Sequence, residues 1–448
     1  MGEDLTVLII GSGAREHAIS QAYEKSPSVK KIIVSPGEDD FIGYNRDKEV
    51  IIDKNSSLKD PQSILAVADR YKSDRIRIDV AQDDALALGT VNLLREHGYN
   101  VFGPTQEASR IESSKIWSRQ FMARHDIPSP GWKAFDNPER AKAMLQYRYT
   151  IDPESVFYVK ADGLAAGKGA IRAENITEAY DAIDKMASFG GTGKKFLIEG
   201  GMEGEEFSTH AISDGKSWHI LKSAQDNKRI YEGDKGQNTG GMGAISPAMV
   251  TRGYDREIER ELIAKAINGM GKEDRPFTGI LYLGGMKTPY GLKVVEYNAR
   301  WGDPEAQVVM PGILNDYMDV VDACITGTLD KIKIQEDNKT RVCVVASSIG
   351  YPGDYSNIKG KQIFGLENLL GIQGINVLGA GITIRDGNFY ANGGRLFNII
   401  AEGKDVVEAR KRANEAMRFI YEQNKDIIHY RRDIGLRDEM RFKQTSQI

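Results

Sequence analysis

The chain has 448 residues, with 60 Lys+Arg against 64 Asp+Glu (net charge −4) and two cysteines, Cys324 and Cys343. At about 100–200 residues per domain the length predicts roughly three domains, and the slight acidic excess excludes nucleic acid as the main partner. Two cysteines exclude a disulfide framework or a thiolate metal centre, no run approaches the roughly 18 apolar residues of a membrane span, and the acidic start is unlike a signal peptide, so the chain reads as cytoplasmic.

The first hundred residues alternate strand and helix. VLII (7–10), KKIIV (30–34), IRIDV (76–80) and VFGPT (101–105) read as strands, with helices at 61–71 and 84–97. Strands at helix-length spacing predict a doubly wound parallel sheet. A polar-amphipathic helix over about 107–125 leads to IPSPG, a natural boundary. Residues 156–210 then read as a small α+β unit: VFYVK, a glycine loop, a helix near 177–188 and KKFLIE. Strands at WHIL, TGILYLGGM and LKVVEYN flank a helix near 254–270. The tail begins at RVCVVASS and shows the hairpin ITIRDGNFYA, where Asp386–Gly387 fits a type I′ turn. A last helix starts at Asp405, paired with Glu408 as a capping box, with Val406, Ala409, Ala413, Met417 and Ile420 on one face.

Glycine is unevenly spread: 23 of the 47 lie between residues 160 and 310. In a folded region this predicts either backbone that approaches a ligand or a hairpin-rich β-domain. Gly11-Ser12-Gly13 follows the first strand but lacks the third glycine of a dinucleotide fingerprint, Glu16 standing there. The turn still aims free N–H groups at one spot, where Arg15 would add a phosphate contact; the segment reads equally as a tight turn with Arg15 and His17 on the surface. VKADGLAAGKGA (159–170) sets Gly163, Gly167, Lys168 and Gly169 after a strand, a loop able to close over phosphates or a hairpin with solvated lysines. It is not a Walker A sequence, since three residues rather than four separate Gly163 from Gly167. In LIEGGMEGEEFS, Glu199 and Glu206 would face an adenine and a ribose, although acid clusters are commonly solvated. In VVEYNARWGDPEAQ (294–307), Glu296 and Asn298 alternate onto one strand face. Two oxygen ligands suit Mg²⁺ when phosphates and water complete its shell, and Arg300 beyond them would hold a carboxylate. No two of the six histidines stand at the i,i+4 spacing of a zinc site.

Together GSGAREHA, VFGPT, VKADGLAAGKG, SAQDNKR, NTGGMGA, EYNARWGDPE, GYPGDY (350–355) and NGGR (392–395) resemble the phosphoribosylamine–glycine ligase family of the ATP-grasp superfamily, in order over essentially the whole chain. The resemblance implies an α/β protein: a parallel-sheet domain (1–105), an ATP-grasp region (106–330) with a lid at about 128–203, and a C-terminal α+β domain (331–448). It implies an ATP-dependent carbon–nitrogen ligase of purine synthesis that joins glycine to 5-phosphoribosylamine through glycyl phosphate, with Mg²⁺ or Mn²⁺, as a monomer or weak homo-oligomer. Lys115, Lys160 and Lys168 would contact ATP phosphates under the Gly163–Gly169 loop. Glu199 with Gly200, Gly201 and Met202 would form the adenine hinge, Glu206 would bind ribose, and Glu296 and Asn298 would ligate the metal. Arg300 and Asp303, with Lys168, would serve the chemistry. Gly11, Gly13, Ala14, Arg15 and Glu16, supported by Gly103, Pro104 and Thr105, would take the phosphoribosyl group; Asp214, Gln225, Asp226, Lys228, Asn238, Gly240 and Gly241 would complete the substrate site. The chain departs from the family at AQDDAL (81–86), where Asp83 would replace a glutamate, and at QDNK, where Asn227 replaces histidine. A related ligase activating another carboxylate, or a non-catalytic nucleotide-binding protein, are the competing readings; NTGGMGA and GDPE oppose the first, and retention of Glu296, Asn298 and Lys168 opposes the second.

Overall fold

The computed structural model describes residues 4–72, 75–165 and 169–445. Five parallel strands form the N-terminal sheet in the order Glu49–Ile52, Val29–Ser35, Leu5–Ile10, Ile76–Val80, Asn100–Phe102. The central strand, LTVLII, is buried along its whole length, as a strand covered by crossover helices on both faces must be. Two helices expected as continuous are broken. The 84–97 run divides at Gly89, whose φ of 80° ends Asp83–Ala87 and starts Thr90–Glu96. The 107–125 run divides at Ser114, which takes extended backbone so that its Oγ accepts the Trp117 N–H and caps Lys115–Arg124.

The lid is a four-stranded antiparallel sheet, Trp132–Phe135, Phe196–Gly200, Phe157–Ala161 and Ala170–Ala173. The helices Pro138–Ile151 and Ile176–Met186 back it over a core of its own, including Val159, Ile183 and Phe196. The body sheet, Trp218–Ile220, Glu205–Asp214, Thr278–Thr288 and Gly291–Asn298, is also antiparallel. Its core continues into the N-terminal sheet, with Leu281 and Val294 in the same cluster as Leu8 and Ile78.

The C-terminal sheet is built on Thr340–Ser348, flanked by Arg395–Gly403 and by Gly243–Ser246. Strands Gln225–Asp226 and Gly243–Ser246 thus leave the central region and join this sheet, so hydrogen bonds cross the division expected near residue 330. The Asp386–Gly387 turn has φ of 49° and 75°, as a type I′ turn requires. Asp405 caps Val406–Gln423 by accepting the Glu408 N–H, and all five residues of the expected face are buried. The Glu408 carboxylate bonds the N–H of Lys404 rather than that of Asp405. No helix among the described residues is long and apolar enough to cross a membrane.

Candidate active site

A cavity of about 300 Å³ opens between the lid and the body sheet. Its floor is the strand Gly291–Asn298, where Val295 is the extra residue of a bulge: Gly284 pairs with Glu296 and Gly285 with Val294. The freed Val295 carbonyl accepts Arg119 Nη2 at 2.6 Å. Bulges re-aim the residues beside them, and here Glu296 and Asn298 face the cavity while the Tyr297 hydroxyl donates to the Leu262 carbonyl on the opposite side.

Burial works to raise the Glu296 carboxyl, but Lys115, Lys228, Lys160 and Arg300 around it hold it below the usual range. No described residue hydrogen-bonds or ion-pairs with the Glu296 carboxylate or the Asn298 side chain. A half-buried, ionised carboxylate and an amide oxygen side by side, both uncommitted, fit a hard divalent cation that keeps most of its shell for phosphates and water. Among the described residues no cluster of three His, Cys, Asp or Glu forms a self-sufficient metal cage.

On the lid side, Glu199 is held by two cations. Its buried carboxylate takes Arg119 Nε at 2.5 Å and Lys160 Nζ at 2.6 Å. Burial opposes its ionisation, yet Lys160 and Arg119 bring it down to about 2. Gly200 and Met202 line the cavity, whereas the Gly201 N–H donates to the Val156 carbonyl and a Cβ there would fall 2.8 Å from Val156. Lys115 Nζ donates to the Gly163 carbonyl at 3.2 Å, fixing the start of the glycine loop beside the cavity. Gly163 has a φ of 147° against Thr192. Gly169 lines the cavity, and Gly167 and Lys168 lie outside the described residues. At the rim the exposed Glu206 pairs with Lys228 at 2.6 Å, and Lys228 holds the carboxyl below its usual value.

Beyond Asn298, Arg300 contacts Glu112 at 2.9 Å and Asp83 at 3.7 Å, and its buried Nε has no partner among the described residues. Asp83, from the departing AQDDAL segment, therefore stands on the cavity wall facing this arginine. Burial pushes the Glu112 carboxyl up to about 7 despite Arg300. Asp303 is gripped by Arg395, and although burial would raise its carboxyl, Arg395 and Arg15 keep it low. Asp226 has a buried Oδ1 without a described partner, and burial with nearby Glu305 pushes its carboxyl well up. Asn238 and Gly240 line the same end, and Gly241 packs beneath, where a Cβ would meet Pro304.

The residues that follow the first glycine loop are buried. Arg15 and His17 are 5% and 2% exposed, which overturns the reading that placed them on the surface. Arg15 Nε donates to Glu16 at 2.7 Å and Nη1 to the Trp301 carbonyl; His17 Nδ1 accepts the Gly379 N–H. Glu16 Oε2 has no partner among the described residues, and burial raises its carboxyl in spite of Arg15. Gly11, Gly13 and Ala14 enclose this pair at the end of the central strand, and a Cβ on Gly11 would strike the Glu16 side chain at 2.8 Å.

Three groups of expected substrate contacts are not brought to the cavity. Asp214 closes the far end of the strand Glu205–Asp214, roughly 30 Å away at about 3.3 Å per residue, where it accepts the amides of Lys216, Ser217 and Leu329. Gln225 bonds Glu205 and the Glu206 carbonyl within the wall. Gly103 and Pro104 are packed under Gly279, and Thr105 spends its Oγ1 capping Gln106–Ser113.

Residues 5–112, 113–306 and 341–437 match, in turn, the N domain, the ATP-grasp (A) domain and the C domain of phosphoribosylglycinamide synthetase. The chain belongs to this family. It is 37% identical to a phosphoribosylamine–glycine ligase of Brucella melitensis, with 98% of this chain and 99% of that one covered. A Vibrio cholerae phosphoribosylamine–glycine ligase is 38% identical over 97% of this chain and 98% of its own. The crystal structure of the Thermotoga maritima phosphoribosylamine–glycine ligase superposes with a TM-score of 0.76 at 29% identity, covering 96% of this chain and all of that one.

Within the family frame, four residues at or beside the cavity carried no expectation. Arg119 anchors Glu199, Glu112 anchors Arg300, and Arg395 anchors Asp303. Glu305 lines the cavity while accepting the hydroxyls of Ser208 and Tyr282. Glu305 and Arg395 lay inside motifs read from the sequence, GDPE and NGGR, without a role assigned to either.

Proposed function

We propose that the chain ligates glycine to 5-phosphoribosylamine at the expense of ATP, giving glycinamide ribonucleotide, ADP and phosphate. The observation that carries this reading is the convergence of Lys115, Lys160, Lys228 and Arg300 around uncommitted Glu296 and Asn298, in a chain that matches the family along its whole length. A glycine carboxylate oxygen attacks the γ-phosphorus, and the bond to the bridging oxygen breaks to release ADP. The amine then attacks the acyl carbon of glycyl phosphate, and the carbon–oxygen bond breaks so that this oxygen leaves with phosphate.

Little covalent chemistry falls to the protein, so its contribution is charge and alignment. Lys115 and Lys160 neutralise triphosphate oxygens, the latter held extended by Glu199. Arg300, oriented by Glu112 and Asp83, receives the glycine carboxylate or the acyl phosphate. Asp226 and Asp303 face the amino groups from the opposite wall, and the Gly11–Glu16 loop takes the phosphoribosyl end. Glu296 and Asn298 would hold Mg²⁺ or Mn²⁺, which supplies charge neutralisation at the phosphates. The reading includes a division at 1–105, 106–330 with a lid at about 128–203, and 331–448; the separate core of the lid supports that part of it. It also places the enzyme in the cytoplasm as a monomer or weak homo-oligomer.

The test is ADP release by the purified chain with each substrate omitted in turn. Release should require both glycine and phosphoribosylamine; release unaffected by omitting glycine would remove this reading.

A further inference from the structure

GYPGDY (350–355) and NGGR (392–395) have no part in the ligation as described, yet one side chain from each reaches into the wall of the cavity. Arg395 forks onto Asp303, with Nη1 3.1 Å from Oδ1 and Nη2 2.6 Å from Oδ2, and Nη1 also donates to the Gly240 carbonyl at 2.6 Å. The Tyr351 hydroxyl accepts the Gly240 N–H at 3.0 Å. Gly240 is thus held through both of its polar backbone groups. The fit is close: a Cβ on Gly240 would lie 3.3 Å from the Arg395 guanidinium carbon, and one on Gly394 would lie 2.4 Å from the Tyr351 ring. Gln307 steadies Asp303 from behind at 2.7 Å.

This clamp acts on one end of the cavity. Asp303 feels Arg15 and Glu16 of the N-terminal glycine loop, while the lysines assigned to the triphosphate lie on the lid and on the helix Lys115–Arg124. We propose that Arg395 and Tyr351 are positioning residues for phosphoribosylamine, setting Asp303 and the 238–241 turn in the geometry that receives the acceptor amine. The C-terminal part of the chain is then a working wall of the site. The proposal rests on the ligase reading. A guanidinium is needed because a lysine ammonium is a single point charge that cannot reproduce a fork onto a carboxylate together with a carbonyl contact.

The test is steady-state kinetics of Arg395→Lys and Tyr351→Phe with each of the three substrates varied. Misplacement of a substrate-facing group by about 1 Å costs up to about 100-fold in rate, so R395K should lower kcat/KM for phosphoribosylamine at least about tenfold with KM for ATP within about twofold of wild type. Y351F should show the same split, smaller, at an unchanged Tm. Because Arg395 acts through Asp303, the R395K/D303N double variant should lose no more than the worse single variant. Unchanged phosphoribosylamine kinetics in both single variants would overturn the proposal, as would an equal loss for all three substrates accompanied by a lowered Tm. If wild type itself released ADP without phosphoribosylamine, the ligase reading would fall; normal wild-type dependence with indifferent variants would remove the clamp alone.

Discussion

At the scale of single residues, Glu296 concentrates the chemistry: a half-buried carboxylate kept ionised by four cations and left without a direct partner among the described residues. Glu296→Gln preserves volume and removes the charge, so metal-dependent turnover should fall at least about 100-fold while the melting temperature stays near that of wild type. Near-normal turnover would show that the metal is held elsewhere. Period-two alternation made Glu296 and Asn298 legible, since one strand face needs no tertiary information. Glu112 and Arg119 were not legible, because a charged residue on an amphipathic helix looks solvated until the partner across the cleft is known. Asp39 offers a second test. It is fully buried with Oδ2 unpartnered, and burial pushes its carboxyl up to about 8 against the amides of Phe41 and Ile382. Unfolded, it titrates near the model-peptide value of about 4, so between about pH 4 and 8 the native state binds a proton that the unfolded chain has released. This contribution to stability is complete below about pH 4 and is lost as pH rises through about 8. Asp39→Asn should flatten the decline of Tm between pH 5 and 8.5; parallel profiles for variant and wild type would contradict the assignment.

Elements set the orientation of these groups. The bulge at Val295 aims Glu296 and gives Arg119 its carbonyl, and it was invisible in LKVVEYN because a bulge is a property of two paired strands. Where a local rule governs, sequence and structure agree: the I′ turn at Asp386–Gly387 and the apolar face of Val406–Gln423 are both found as read. Where Gly89 and Ser114 interrupt long amphipathic patterns, periodicity overran the breaks, because tertiary packing keeps the apolar residues in phase on either side. The cap at Asp405 is a measurable element-scale contribution. Asp405→Ala should cost about 1 kcal/mol in urea unfolding, with ATP kinetics unaffected; no loss of stability would mean that solvent satisfies the freed Glu408 amide.

Across the whole molecule, three sequence-distant regions meet at or beside one cavity. The N-terminal loop brings Arg15 against the Trp301 carbonyl, the lid brings Lys160 and Glu199, and the C-terminal sheet brings Arg395 to Asp303. The parallel N-terminal sheet, the lid and the order of the motifs were legible because each is local or rests on a family pattern. The crossing of 225–246 into the C-terminal sheet was not, since Gly243 pairs with Val344 about a hundred residues on, and no spacing in the sequence encodes that choice. The same non-local pairing carries the 238–241 turn to the cavity beside Asp303. The reaction assigned to this cavity makes a statement about atoms that does not depend on any one contact: an oxygen of the glycine carboxylate must pass to phosphate. With glycine labelled by ¹⁸O in its carboxylate, the phosphate released in a complete turnover should carry one labelled oxygen from glycine. Phosphate free of label, formed at the same rate as glycinamide ribonucleotide, would contradict the acyl phosphate and with it the central claim.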